Sequence, residues 1–387
     1  MPTPYGERAI ADALAHGCAI LKFISPNDAG LTRGHQCGYY LPKNVWQIYT
    51  PNPPVKGVNS ESLVTVLWQD GRETQSCVHW YGRTKSEYRL TRFGHDFPWL
   101  SGDSVGDLLM LIPVSHEKFL GYVLDHEEDV EEVTAALGVE VIDTWGVYQA
   151  GAEQSPETED ACVNRKFRLY TQALADFPTT EELSRQAREI LMACFKGFAG
   201  LSVDDRLWNL VQAEYSLFKI IERQVCQPEI QRLFKSIDDF LKTAQPIMQR
   251  RKSRAGRSLE NHFEFLLKQA NVPCDIRSSV DGRPDVIIPS ATAYCDPNYP
   301  TQKLCMVGVK TTCKDRWRQV LNEARRVQNK HILTFQRGIS KKQLQEMNAA
   351  GVTLIVPERL QKEYPKGSGI RIVTVRDFMA SVRGLLA

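Results

Sequence analysis

Short alternations of apolar and polar residues, broken every few positions by Gly, Pro or Asn, run through residues 1–150. Gly38–Pro42, Leu63–Trp68 and Leu108–Pro113 have this texture and predict strands, so the first domain is expected to be mainly β with a few helices. Small, polar and acidic residues from Gly151 to Asp160 read as linker, which we place at 151–178. After Pro178 the apolar period lengthens. Thr180 is placed to cap a helix from Glu181 to Phe195, and a second helical pattern covers Asp204–Arg223. Farther on, Leu259, Phe263, Leu266, Leu267 and Ala270 share one face of a predicted helix Ser258–Ala270. Strands are expected at Asp285–Ile288 and Leu304–Lys310, then a helix around Arg316–Gln328. Strand His331–Phe335, helix Ser340–Ala350 and strand Val352–Val356 complete an α/β pattern around a central sheet. The last region is therefore read as 179–387, with helices over 179–245 and an α/β core over 246–387.

A chain of 387 residues suits two or three domains. Its net charge of +2 hides an asymmetry. Residues 1–244 carry 23 basic and 34 acidic side chains, a net of −11, whereas 245–387 carry 25 and 12, a net of +13. A carboxy-terminal region this basic is the electrostatic footprint of nucleic-acid binding. Between Lys118 and Arg165 stand twelve acids and no Lys or Arg, starting at Asp125. Such runs are usually solvated helix faces. No run of 18 apolar residues exists, which argues against a membrane helix. Met1–Arg8 lacks a basic segment followed by an apolar core, so no signal peptide is expected. The ten cysteines include no C-x-x-C pair, which argues against a zinc ribbon and fits free thiols in a reducing cytoplasm.

Phosphate-binding G-x-x-x-x-G-K-[ST], dinucleotide G-x-G-x-x-G, H-E-x-x-H and G-x-S-x-G motifs are absent. What remains in the basic half is Pro284-Asp285 at the start of one strand and Val309-Lys310 at the end of the next. An acid and a lysine on neighbouring strands meet at a sheet edge, where Asp285 would ligate Mg²⁺ and Lys310 would serve the attacking water. This is the layout of the PD-(D/E)xK nucleases, with one departure. The second acid normally stands two residues before the lysine, and here that residue is Gly308. Glu323, thirteen residues after Lys310, is the candidate replacement. Glu260, on the preceding helix, is a third acid, with Glu264 one turn on. Lys314, Asp315 and Arg316 follow the lysine closely. Arg and Lys donate to guanine and Asp accepts from cytosine, so this triplet is equipped to read adjacent G·C pairs. In the first domain Arg83, Lys85, Glu87, Arg89 and Arg92 form a basic loop bordered by Tyr81, Tyr88 and Phe93. Arg33, His35, Gln36 and Tyr40 are candidates for a second DNA-contacting loop.

Arg250–Glu260, Pro284-Asp285 and Val309–Gln319 with Glu323 closely resemble the catalytic domain of the EcoRII-like type II restriction endonucleases. Ser25–Gly30, Gly34–Tyr40 and Gly82–Gly94 are similar to their amino-terminal effector domain. The resemblance implies a mainly β, pseudobarrel DNA-binding domain followed by a restriction-endonuclease-like α/β domain with a central mixed sheet. It implies a metal site of Asp285 and Glu323, with Lys310 and Glu260 completing the catalytic set. It also implies that Lys314, Asp315 and Arg316 read the CC·GG pairs of a palindromic site. The expected activity is Mg²⁺-dependent double-strand cleavage of DNA to 5′-phosphate and 3′-hydroxyl ends, by a cytoplasmic homodimer.

Two other functions are compatible with the residues alone: a structure-specific repair or recombination nuclease, and a DNA-binding regulator with an inactive nuclease core. Asp285, Lys310 and Glu323 together speak against the regulator, and the base-reading triplet against a structure-specific enzyme. The first domain is expected either to restrain the catalytic domain or to extend recognition; its explicit basic loops favour a DNA-reading role.

Overall fold

The computed structural model describes residues 3–32, 37–51, 53–141, 144–151 and 161–386. The chain divides into two units: Met1–Ala152 with Gln336–Gln345 and Lys362–Ser368, and the remainder. The first is mainly β and the second α/β, as the two textures of the sequence predict.

In the first unit α1 (Pro4–His16) leads into β1 (Cys18–Phe23), β2 (Tyr39–Leu41), β3 (Asn59–Trp68) and β4 (Glu73–Tyr81). There follow β5 (Tyr88–Thr91), β6 (Leu108–Pro113), β7 (Lys118–Leu124), α2 (Glu127–Leu137) and β8 (Gly146–Gln149). The strands make one eight-stranded sheet, β2-β5-β4-β3-β7-β6-β1-β8, antiparallel except where β3 lies beside β7. It is curled rather than flat, and both of its faces are apolar over much of their area. One gathers Val64, Val66, Val78, Trp80 and Leu90 with an aromatic cluster in which Trp68 lies 4.7 Å from Phe97 and Tyr39 5.2 Å from Phe93. The other packs Leu21, Leu108, Met110 and Ile112 with Ala9 and Ala13 of α1 and Val130 and Val133 of α2. Each fully buried side chain of this size contributes roughly 1.5–3 kcal/mol.

The acidic run is only partly a solvated face. Asp129 is 1% exposed and accepts from the backbone N and the hydroxyl of Thr3, at 2.8 and 2.6 Å. Gly6 makes room, because a Cβ there would stand 2.6 Å from Asp129 Oδ1. The carboxylate thus ties α1 to α2, where the positive end of the α2 dipole also favours it.

The second unit begins with α3 (Ala161–Gln172), α4 (Thr180–Cys194), α5 (Val203–Ile221), α6 (Gln227–Gln231) and α7 (Ile237–Gln269). Of the segment read as linker, 152–160 lie outside the described residues, and α3 buries Val163 and Phe167 in the helical core. The cap of α4 is Thr179 rather than Thr180, its side chain accepting from Glu182 N at 3.2 Å. The helix expected at Ser258–Ala270 is the end of the 33-residue α7, which carries the basic run Arg250–Arg257 as well. Ten free thiols were expected, and that is corrected: Cys162 on α3 and Cys194 on α4 form a disulfide, and eight cysteines are free. Packing of α3 against α4 brings the two Cα atoms to 5.7 Å, a proximity that sequence spacing does not reveal.

A six-stranded sheet follows, from β9 (Asp275–Ile276), β10 (Val286–Ile288), β11 (Cys305–Lys310), β12 (Lys330–Thr334), β13 (Val352–Ile355) and β14 (Arg371–Val373). Its order is β14-β13-β12-β11-β10-β9; β11 to β14 are parallel and β9 to β11 antiparallel, a mixed sheet. Its central strands bury Val286, Ile288, Val307, Val309 and Leu333 in the core that they share with the helices. The short α8 (Ala291–Cys295) joins β10 to β11. The helix expected at Arg316–Gln328 is reduced to α9 (Trp317–Val320), followed by turns. No helix among the described residues is long and apolar enough to cross a membrane.

Candidate active site

Register places the first pair. Val286 of β10 is paired with Val307 of β11, so Asp285 falls beside Gly308 and within reach of the end of β11. Asp285 Oδ2 accepts from Val309 N at 2.7 Å and from Lys310 Nζ at 2.8 Å. The backbone bond fixes the carboxylate to the strand and the ion pair holds the ammonium over the edge. Both side chains are 18% exposed, so the pair is neither sealed in nor fully screened by water.

Glu323 reaches this edge from a turn, not from a helix. The chain leaves the helical path after α9, and Ala324 takes a positive φ of 43°. Lys330, itself buried, donates to the carbonyls of Glu323 and Ala324 at 2.6 and 2.9 Å. On the other side Asp281 accepts from Ala324 N through its carbonyl at 2.9 Å and from Arg325 N through Oδ2 at 3.0 Å. Gly282, at φ +73°, lets that loop approach: a Cβ there would lie 2.5 Å from Glu323 Cα. Asp281, Gly282 and Lys330 thus position Glu323, and none was singled out from sequence. The Asp281-Gly282 dipeptide was a visible turn signal, but which residue the turn would support was not.

Burial pushes the Glu323 carboxyl up to about 7 against the pull of Lys310 and Lys330, and the charge of Asp285 adds to the rise. Its Oε2 is buried with no hydrogen-bond partner. Two carboxylates, one of them desolvated and holding an orphaned oxygen, form an all-oxygen donor set suited to a hard divalent cation such as Mg²⁺. The residues present fit that ion.

Packing leaves no room for an acid at Gly308. A Cβ at 308 would lie 2.8 Å from Val320 Cγ2 of α9, and Val320 is fully buried. The position that normally carries the acid is filled by α9.

Glu260 is brought near the site but is engaged differently. It is 8% exposed and its Oε2 accepts from Arg277 Nε at 2.7 Å and Arg257 Nη1 at 3.2 Å. Arg277 also donates to Glu181 and Asn261, and its backbone N bonds the carbonyl of Asp285 at 2.9 Å. Glu260 therefore anchors the arginine that braces the strand of Asp285. Lys314, Asp315 and Arg316 form the turn between Lys310 and α9, with Lys314 8% exposed and the other two half-buried.

The candidates in the first unit separate into three sets. Arg33, His35 and Gln36 lie outside the described residues. Arg83 and Lys85 are exposed on the turn joining β4 to β5, and Arg92, exposed just past β5, donates to Glu61 at 2.7 Å. Arg89 does not belong to that surface. It is 2% exposed, with Nε on Glu87 at 2.9 Å and Nη1 on the carbonyl of Gly38 at 3.1 Å. Tyr40, Glu87 and Arg89 line a polar cavity of about 370 Å³ with Lys22 and Asp28, a fully buried ion pair that sequence reading missed.

Residues 218–379 match the family model for the EcoRII C-terminal domain, and 15–148 the model for the N-terminal domain of restriction endonuclease EcoRII. The chain is 31% identical over 386 residues to the type II restriction enzyme EcoRII of Escherichia coli, covering 95% of this chain and 94% of that one. It is 23% identical over 150 residues to the type II restriction enzyme SsoII of Shigella sonnei, covering 35% and 48%. Among solved structures, metal-depleted Ecl18kI in complex with uncleaved, modified DNA gives a TM-score of 0.46 at 18% identity, over 58% of this chain and 84% of that one. A PspGI–substrate DNA complex gives 0.45 at 17%, over 54% and 93%.

Proposed function

Because the chain belongs to the EcoRII family of type II restriction endonucleases, we propose that it hydrolyses both strands of a palindromic, CC-GG-containing duplex in a Mg²⁺-dependent reaction. The observation that carries this is the strand-end cluster: Asp285 pinned by Val309 N and Lys310 Nζ, with the desolvated Glu323 carboxylate beside it. Asp285 and Glu323 would hold the ion. Mg²⁺, when bound, supplies charge neutralisation at the phosphate and lowers the pKa of its water.

The residues of the chain do the rest. Lys310 Nζ, already aimed along the edge by Asp285, positions the attacking water and counters charge on the scissile phosphate. Glu323 must be ionised to act, which its burial resists in the absence of a cation. Glu260 acts through Arg277, keeping the strand of Asp285 in register. Cleavage of the P–O3′ bond then leaves a 5′-phosphate and a 3′-hydroxyl.

Recognition is assigned to the turn that follows Lys310. Lys314 and Arg316 would donate to guanine O6 and N7, and Asp315 would accept from cytosine N4. Placing readout four to six residues from the catalytic lysine couples base recognition to the chemistry through one turn. A twofold-symmetric target with one cut per strand calls for a homodimer. Arg83, Lys85 and Arg92 give the first unit its DNA-binding surface, and the enzyme would act in the cytoplasm, where that DNA is. Incubating the purified protein with plasmid and Mg²⁺ tests the reading: discrete fragments with CC-GG at every cut end are expected. A smear, nicks only, or fragments without that sequence would reject it.

A further inference from the structure

On the face of β3 and β4 opposite Val78 and Trp80 lies a cluster that the nuclease function does not use, with Cys77 fully buried in it. Glu61 on β3 stands directly across from His79 on β4, and Cys77 is two residues back on the same strand and the same face. Glu61 divides its carboxylate between them. Oε1 lies 3.1 Å from His79 Nδ1, and Oε2 lies 3.8 Å from Cys77 Sγ. The three ligand atoms all fall within 4.8 Å of one another.

These separations can be compared with what a metal requires. Bonds of about 2.3 Å to sulfur and 2.0–2.2 Å to nitrogen and oxygen at tetrahedral angles imply ligand–ligand distances of roughly 3.4–3.6 Å. The two Glu61 pairs bracket that range and the third pair lies within 4.8 Å, so closure around an ion needs shifts of up to about an ångström. The donors are one thiolate, one imidazole and one carboxylate, a mixture that selects Zn²⁺-like ions over Mg²⁺ or Ca²⁺. The thiolate and carboxylate together balance a +2 charge. His79 Nε2 is also buried and has no hydrogen-bond partner, and its ring stacks on Tyr81 with centroids 3.9 Å apart. The imidazole is therefore held in place by packing rather than by a second hydrogen bond.

We propose that Glu61, Cys77 and His79 form a zinc-class metal site on the first unit, with a fourth position left to water. Binding exchanges the Cys77 thiol proton, released to solvent, for the metal–sulfur bond. It also competes for Glu61 Oε2, which now accepts from Arg92 Nη2 at 2.7 Å. Arg92 is about half exposed and can swing away, so metal binding frees a guanidinium on the face assigned to DNA.

The test is a Co²⁺ titration of the full-length protein, followed by ultraviolet and visible absorption. One equivalent should develop a thiolate-to-cobalt charge-transfer band with the d–d bands of a four-coordinate site, and Zn²⁺ should bleach both. Cobalt held by Asp285 and Glu323 has no sulfur ligand and gives no such band, so the two sites are distinguishable. Cys77→Ser should remove the charge-transfer band. Glu61→Gln, at a half-exposed position that folding tolerates, should weaken it at least tenfold. No thiolate band at saturating Co²⁺, or a band unchanged in Cys77→Ser, overturns the site. If Cys77→Ser does not fold, unchanged cobalt affinity in both Glu61→Gln and His79→Asn overturns it instead.

Discussion

The two units treat charge in opposite ways. At the strand ends of the second, Asp285, Lys310 and Glu323 are drawn partly out of water and made to constrain one another. On the first, Arg83 and Lys85 sit exposed on the β4–β5 turn, while Arg89, six residues from Arg83 in sequence, is buried on Glu87 and Gly38. Groups that must change the reactivity of a water need a fixed, desolvated setting, because electrostatic effects are strong only there. Groups that meet phosphates need reach and an open surface, and their contribution is long-ranged and salt-dependent. A run of like-looking arginines can thus contain both exposed surface charge and a piece of core.

The largest effect that would break this contrast lies at the strand ends. Asp285→Ala and Lys310→Ala should reduce cleavage to background while DNA binding in Ca²⁺ is retained, and Glu323→Ala should cost on the order of 10³ in rate. Adding Gly308→Glu to Glu323→Ala should not restore activity, because Val320 fills that position. Robust cleavage by Glu323→Ala, measured on plasmid, would remove Glu323 from the site.

Next comes the buried arginine. Arg89→Ala empties a buried site and leaves the half-buried Glu87 and the carbonyl of Gly38 without their partner, and should destabilise the first unit by about 3 kcal/mol. Arg83→Ala and Lys85→Ala should leave unfolding unchanged and instead lower DNA affinity and its salt slope. Equal stability of all three variants in urea melts would erase the distinction between buried and exposed.

A smaller effect is visible in pH. The Glu323 carboxyl is raised from 4.5 to about 7, so the folded state binds a proton more tightly than the unfolded chain. Its contribution is fully present below pH 4.5 and is lost as pH rises through 7. In EDTA, wild type should lose up to about 3 kcal/mol across that window relative to Glu323→Gln. Parallel stability–pH curves for the two proteins would show that Glu323 is not desolvated. The smallest effect concerns readout. Arg316→Ala should weaken binding to a CC-GG duplex by about 1–3 kcal/mol and to random duplex much less. Equal losses would make Arg316 a phosphate contact.

By itself the sequence determined the class of each region and the identity of the chemical groups. Apolar runs flanked by turns located β6 at Leu108–Pro113 and the central strands of the second unit. Asp285 and Lys310 were legible because strand-end positions are fixed by local pattern. Glu323 was legible as a candidate only because Gly308 left the site one acid short. Its support was decided by tertiary structure. The helical pattern expected over Arg316–Gln328 gave way to turns because Asp281, Gly282 and Lys330, distant in sequence or across a loop, bind that backbone better than a helix would. The burial of Arg89 and Asp129, the Cys162–Cys194 bond and the meeting of Glu61 with Cys77 and His79 have the same origin. Each depends on strand register or helix packing between segments whose separation along the chain carries no distance information. Local pattern fixes what a segment is, and only packing fixes what it touches.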